Sequence, residues 1–120
     1  MKIHLDPDIF EQVKNGTKNV EARVNDPKRQ LLKVGDELLV LKRPDESESL
    51  TVRITKLKYF SNFTELADYY PIERLYSPSF TKEEYLALFP KFYSEEEIAK
   101  YGTVAIEFEL IKSSATNADR

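Results

Sequence analysis

Apolar and polar positions alternate or recur along most of this chain, and the period shifts mark the elements. Ile3 and Leu5 bracket His4, which reads as a short strand with the imidazole on the outer or rim side. Asp6-Pro7 then opens a helix, with Asp6 as the N-cap and Pro7 at the first helical position. Ile9, Phe10 and Val13 form its apolar stripe, and Gly16 ends it. Val20, Ala22 and Val24 alternate with Glu21 and Arg23, which predicts a strand with an apolar face and a charged face. Asp26-Pro27 breaks that strand. Lys28 to Leu32 fits one helical turn with its leucines inward, and Val34-Gly35-Asp36 fits a tight turn.

Leu38, Val40 and Leu41 predict the next strand, and Leu50, Val52 and Ile54 its hairpin partner across the polar segment Arg43 to Glu48. The alternation slips by one at Thr55-Lys56, since Leu57 and Tyr59 continue on the other parity. That slip predicts a β-bulge of the kind small barrels use to curl. A second helix is expected after Ser61-Asn62, stopped by Tyr69-Tyr70-Pro71, with an irregular segment from Ile72 to Phe80. Thr81-x-x-Glu84 and Ser94-x-x-Glu97 are capping boxes that open two further helices. Gly102 stops the last of them. Val104, Ile106, Phe108 and Leu110, with Glu107 and Glu109 opposite, predict the final strand. The expectation is one α+β domain over residues 1–112, followed by a disordered polar tail over 113–120.

Composition narrows the chemistry. The chain has 120 residues, enough for one ordinary domain with its own core. It contains no cysteine, so disulfides and thiolate metal sites are excluded; with His4 its one histidine, a histidine zinc site or a Ser-His-Asp triad is not expected, nor is any metal or cofactor. No apolar run nears the roughly 20 residues that span a bilayer, and the first residues do not read as a signal peptide. A soluble, cytoplasmic protein with no membrane partner, monomeric by preference, is the expectation.

A net charge of −3 argues against indiscriminate binding of long polyanions. The charge is uneven, however: from Lys14 to Lys33 six cations face two acids, and from Lys82 to Glu109 seven acids face three lysines. Seven tyrosines and seven phenylalanines are many for a chain of this length. Helix and strand spacing assigns Phe10, Phe63, Phe89, Phe92 and Phe108 to the core. Tyr59, Phe60, Tyr69, Tyr70 and Tyr76 adjoin turns, and are candidates to line a cleft where a base stacks.

The candidate chemistry centres on Gly16-Thr17-Lys18-Asn19-Val20-Glu21-Ala22-Arg23. Glu21 and Arg23 share one strand face, where a carboxylate holds a guanidinium that can fork onto a planar polar ligand. Lys18 has the wrong parity for a regular strand and joins them only from a turn or a bulge. The commoner reading of such a pair is an exposed ion pair on a half-exposed strand, which contributes roughly 0–1 kcal/mol.

The order of motifs is informative. Gly16-x-Lys18-x-x-Glu21-x-Arg23 is followed by Val34-Gly35-Asp36 before a strand. Tyr59-Phe60-Ser61-Asn62-Phe63 then precedes a helix, and Tyr101-Gly102-x-Val104-Ala105-Ile106 the last strand. This series resembles the ASCH domain, a family of the PUA-like superfamily, from Ile3 to about Ile111. The resemblance implies a small mixed β-barrel of five to six strands with helices packed at its ends. It also implies a cleft beside the first helix and the charged strand, in which RNA or a nucleoside binds.

Some small members of the family are amidohydrolases of acetylcytidine, and others have been assigned ribonuclease activity. In the amidohydrolase motif a threonine stands three residues after the lysine; here Glu21 takes its place, so the nucleophilic hydroxyl is missing.

Three functions follow. In a binding module for RNA or a modified nucleoside, Lys18 and Arg23 meet phosphate or a base edge. Glu21 orients Arg23 or accepts from an exocyclic amine, and Lys28, Arg29 and Lys33 position the backbone. In a small hydrolase, Lys18 and Glu21 are the catalytic candidates and Arg23 stabilises an oxyanion. In a protein-interaction domain, the Tyr69 to Phe80 segment is the contact surface.

Overall fold

The computed structural model describes residues 1–113, with Ser113 described by its backbone alone. Five strands form one sheet: β1 (Lys2–Leu5), β2 (Val20–Val24), β3 (Glu37–Lys42), β4 (Ser49–Phe60) and β5 (Thr103–Ser113), in the order β1-β3-β4-β5-β2. β1 runs parallel to β3, and every other pairing is antiparallel. The sheet curls into a half-barrel, with β1 and β2 as its two edges.

The curl is built into two irregularities of the long β4–β5 ladder. Thr55 is an extra residue on β4 between the pairs Ile54↔Phe108 and Lys56↔Glu107. Ile111 is an extra residue on β5 between Leu110 and Lys112. The first bulge lies where the alternation slips in the sequence. Each one bends its strand and adds twist.

Helix α1 (Pro7–Lys14) follows β1 and buries Ile9, Phe10 and Val13. Phe10 and Val13 close a core with Ile3, Val40, Val52, Ile106 and other strand residues. The expected Asp6 side-chain cap is not made. Asp6 lies instead toward Arg43 at 3.5 Å, and Asp8 Oδ1 accepts from the Ile9 amide.

A second core lies on the other face, where Val20, Ala22, Val24 and Ala105 meet a set of short helices. These are α2 (Phe63–Tyr69), α3 (Ile72–Leu75), α4 (Lys82–Leu86) and α5 (Glu95–Tyr101). Asn62 caps α2, and both predicted capping boxes form at α4 and α5. These helices cover the edge strand β2, whose unpaired groups would otherwise be open to another chain. Among the described residues no helix is long and apolar enough to cross a membrane.

Three local expectations are corrected. α3 occupies part of the segment read as irregular. The single turn Arg29–Leu31 exists, but only Leu32 packs on the core; Leu31 is 75% exposed, because the turn stands on the rim with no layer above it. Phe92 is 69% exposed, because the chain leaves the helical repeat after Leu86 and turns outward before α5. Of the tail expected over 113–120, residue 113 ends β5 and 114–120 lie outside the described residues.

Gly102 is the tightest backbone point. It caps α5 by donating to the Ile98 carbonyl at 2.8 Å, and its own carbonyl accepts from Asn25 at 3.0 Å. Its φ of 68° with ψ of −165° belongs to a region open to glycine almost alone. A Cβ there would stand 2.8 Å from the Phe60 carbonyl oxygen. Gly16, at φ 88°, has nothing within 4 Å of such a Cβ.

Gly102→Ala is therefore expected to cost about 1–3 kcal/mol from the backbone alone, with the contact against β4 adding to it. Gly16→Ala should cost about 1–2 kcal/mol. Urea denaturation of the two variants checks the order, and a larger loss for Gly16→Ala would contradict it.

Candidate functional site

The end of α1 delivers Lys18 to the site. Asn15 closes the helix, Gly16 takes the left-handed turn, and the Lys18 amide bonds back to the Gln12 carbonyl at 2.9 Å. The lysine side chain then runs inward from the turn, which removes the parity objection to its meeting Glu21. Its ammonium donates to the Val20 carbonyl at 2.7 Å, the Leu75 carbonyl at 2.6 Å and Glu21 Oε1 at 3.1 Å. Three donors meet three acceptors, so the group is saturated.

Glu21 faces the same way, opposite Ile106 on β5, and its Oε2 accepts from Arg23 Nε at 2.9 Å. Tyr93 lines the same cleft as Arg23 and favours the guanidinium charge. Lys18 is 3% exposed and Glu21 8%. The expectation of a surface ion pair is thereby corrected: β2 is an edge strand, but the end of α3 reaches Lys18 through the Leu75 carbonyl, and Lys18 and Glu21 are buried.

Electrostatics follow from that burial. Desolvation pulls the Lys18 pKa below its ordinary value, and the Glu21 carboxylate opposes the shift without cancelling it. Burial alone would raise the Glu21 pKa, but Lys18 and Arg23 outweigh it and hold the carboxyl below its ordinary range. Burial works against the Arg23 charge too, and Glu21 and Tyr93 overcome it. Two cations and one anion leave the cluster with an excess positive charge, and Arg23, the least buried of the three, carries it outward.

The cluster forms the floor of a cleft of about 290 Å³, near the lower end of the range for small-molecule sites. Tyr76, Tyr85, Phe89, Phe92 and Tyr93 supply aromatic walls, and His4, Asp6 and Arg43 the rim. Phe89 is fixed by stacking on Phe63, with ring centroids 3.8 Å apart, and Tyr93 packs on the same ring at 5.8 Å. Tyr85 and Tyr76 are both held as neutral phenols by burial.

The candidate residues divide. Lys18, Glu21 and Arg23 converge on the cleft floor. Lys28 and Arg29 do not line the cleft; Arg29 bonds Asp26 through both its amide and its guanidinium. Of the turn-flanking aromatics only Tyr76 reaches the cleft. Phe60, Tyr69 and Tyr70 form a separate group, with Lys58 lying 4.8 Å from the Tyr69 ring centre.

Phe92 and Tyr93 were hidden as site residues, because their neighbours repeat at core spacing. Their position between two capping boxes, off either helix, is the signal that separates them. Among the described residues no group of three His, Cys, Asp or Glu side chains fits a metal ion.

Removing the Glu21 charge leaves buried Lys18 and half-buried Arg23 without their counter-ion. Glu21→Gln is expected to cost about 3 kcal/mol at pH 7. The folded-state pKa of Glu21 lies below its ordinary 4.5. Its contribution is therefore complete above that value and is lost as pH falls through it and below. The stability gap between wild type and Glu21→Gln should narrow from pH 5 toward pH 3 in urea titrations; a gap that stays constant would contradict the linkage.

The architecture and the sequence both have relatives. The family model described as "ASCH domain" matches residues 3–112. The crystal structure of the hypothetical protein PH0355 superposes with a TM-score of 0.74 at 31% identity, covering 92% of this chain and 97% of that one. The solution structure of protein PF0455 from Pyrococcus furiosus gives 0.68 at 27% identity, covering 93% and 99%.

ASCH from Zymomonas mobilis gives 0.53 at 16% identity, covering 93% of this chain and 70% of that one, a likeness of fold alone. No curated protein matches the sequence. The half-barrel agrees with the PUA-like architecture expected from the motifs. A match running from β1 to β5 and taking in every helix settles the family: the chain belongs to the ASCH domain family.

Proposed function

We propose that the cleft binds a single unpaired nucleobase, either in a short stretch of RNA or in a free nucleoside. The observation that carries this reading is Arg23, a guanidinium fixed from behind by Glu21 and facing a pocket with aromatic walls. A base needs two things from such a site: a flat apolar surface to stack on, and polar groups at fixed positions to meet its edge. Phe92 provides an exposed ring at the mouth, and Arg23 the polar group. Tyr76 and Arg43 extend the wall and the rim toward sugar or phosphate.

Members of the ASCH family are generally thought to bind RNA, which supports the same reading. The overall charge of −3 favours a short segment over a long polyanion. Lys28 and Arg29, outside the cleft, are suited to contacts with a backbone leaving it. The hydrolase alternative asks Lys18 to accept a proton, yet its ammonium already donates to three acceptors, which favours binding over turnover.

Amide NMR titration with cytidine, acetylcytidine and a short single-stranded RNA tests the proposal. Shifts are expected to cluster at residues 18–23 and 85–93. Phe92→Ala should weaken binding by roughly 5- to 150-fold, as the loss of one stacking platform of about 1–3 kcal/mol implies. Shifts confined to residues 69–80 would favour a protein-interaction surface instead. Release of acetate from acetylcytidine would replace the binding reading with a hydrolytic one.

A further inference from the structure

The floor of the cleft turns its acceptors inward, toward its own cations, and its guanidinium outward. Glu21 Oε1 accepts from Lys18 at 3.1 Å and Oε2 from Arg23 at 2.9 Å, with the residue almost fully buried. The Val20 and Leu75 carbonyls both accept from Lys18. Each Glu21 oxygen keeps a lone pair, but both are drawn to its own cations and the residue is nearly closed off, so Arg23 and not Glu21 is the group turned toward a ligand. Arg23 has committed Nε to Glu21, and its terminal nitrogens are placed to address a ligand in the cleft. The other carboxylate lining the cleft, Asp6, pairs with Arg43 on the exposed rim, away from the floor.

A guanidinium presents two parallel N–H groups and therefore pairs best with two adjacent acceptors. Resting on the base-binding reading above, we infer that this cleft selects bases carrying such an acceptor pair, guanine through O6 and N7 or cytosine through N3 and O2, over adenine and uracil. Adenine places its amine next to N7 and next to N1, so one N–H of the fork would face another donor. Uracil carries an N–H between its two carbonyls, with the same result. The discrimination is negative as much as positive, because a buried donor left facing a donor forfeits its hydrogen bond.

The test compares binding of the four ribonucleoside 5′-monophosphates to the intact chain by calorimetry, with inorganic phosphate as competitor. All four carry the same phosphate, so a difference among them reports the base. GMP and CMP should bind more tightly than AMP and UMP by roughly 5- to 150-fold, the range of one bidentate pair. A 7-deaza-GMP probe, in which a C–H replaces N7, separates the two bases and needs no altered protein. It should fall to the AMP level if guanine is read through O6 and N7.

Arg23→Lys, which keeps the charge and loses the fork, should bring the four affinities together. Phe92→Ala should weaken all four alike and leave their ratio unchanged. Equal affinities for all four nucleotides on the wild type would overturn the acceptor-pair inference and leave the base-binding reading standing. Phosphate competing as strongly as GMP would overturn the inference by making the floor an anion site. No binding of any nucleotide would overturn both.

Discussion

One ammonium group organises this domain. Lys18 Nζ ties together the turn after α1, the start of β2 and the last residue of α3, through two backbone carbonyls and one carboxylate. An isolated ion in the interior costs several kcal/mol. That cost makes the arrangement cooperative: the ammonium is tolerable only while all three acceptors are in place. Moving α3 away from β2 would strand the charge, so the helix that forms one wall of the cleft is clamped to the strand that forms its floor. Glu21 passes the constraint on, since the oxygen that Lys18 does not hold is the one that fixes Arg23.

The two cores divide the work around this clamp. The barrel-side core, with Phe10 and Val13 of α1 against the strands, fills the hollow of the curled sheet and fixes where α1 ends. The helical core, around Phe63, Leu66, Leu75 and Tyr85, sets the height of the wall above β2. The cleft lies at the seam, where the curled edge of the sheet meets the helices that cover it. Its aromatic side chains are therefore anchored from behind, as Phe89 is by Phe63, while their other edges remain available. Anchoring of this kind lowers the ordering cost that a ligand must overcome on entry.

How much of this was legible in the sequence depended on the range of the interaction. The period-two pattern of Val20 to Val24 placed Glu21 and Arg23 on one face, and the slip at Thr55 located the bulge, because both are local consequences of strand geometry. The capping boxes at Thr81 and Ser94 located two helices for the same reason. Burial of the ion pair was not legible. It depends on α3, some fifty residues further along, whose Leu75 carbonyl carries no side-chain signature at all. The aromatics misled in both directions: Phe92 sits at apparent core spacing but lies beyond the helix, and Phe60, Tyr69 and Tyr70 adjoin turns but pack on one another.

The charge arrangement then bears on what kind of ligand the seam suits. Arg23 presents a positive charge at the floor while the chain as a whole carries −3. A long polyanion would meet that net repulsion along most of its length, whereas a single base meets only the local field of the cleft. Attraction confined to one half-buried guanidinium is also screened less by salt than attraction spread over solvated charges, because the Debye length of about 8 Å at physiological ionic strength acts between charges in water. Affinity in such a site comes from stacking and from a hydrogen-bonded edge, and both of these depend on the clamp that keeps the floor and the wall in register.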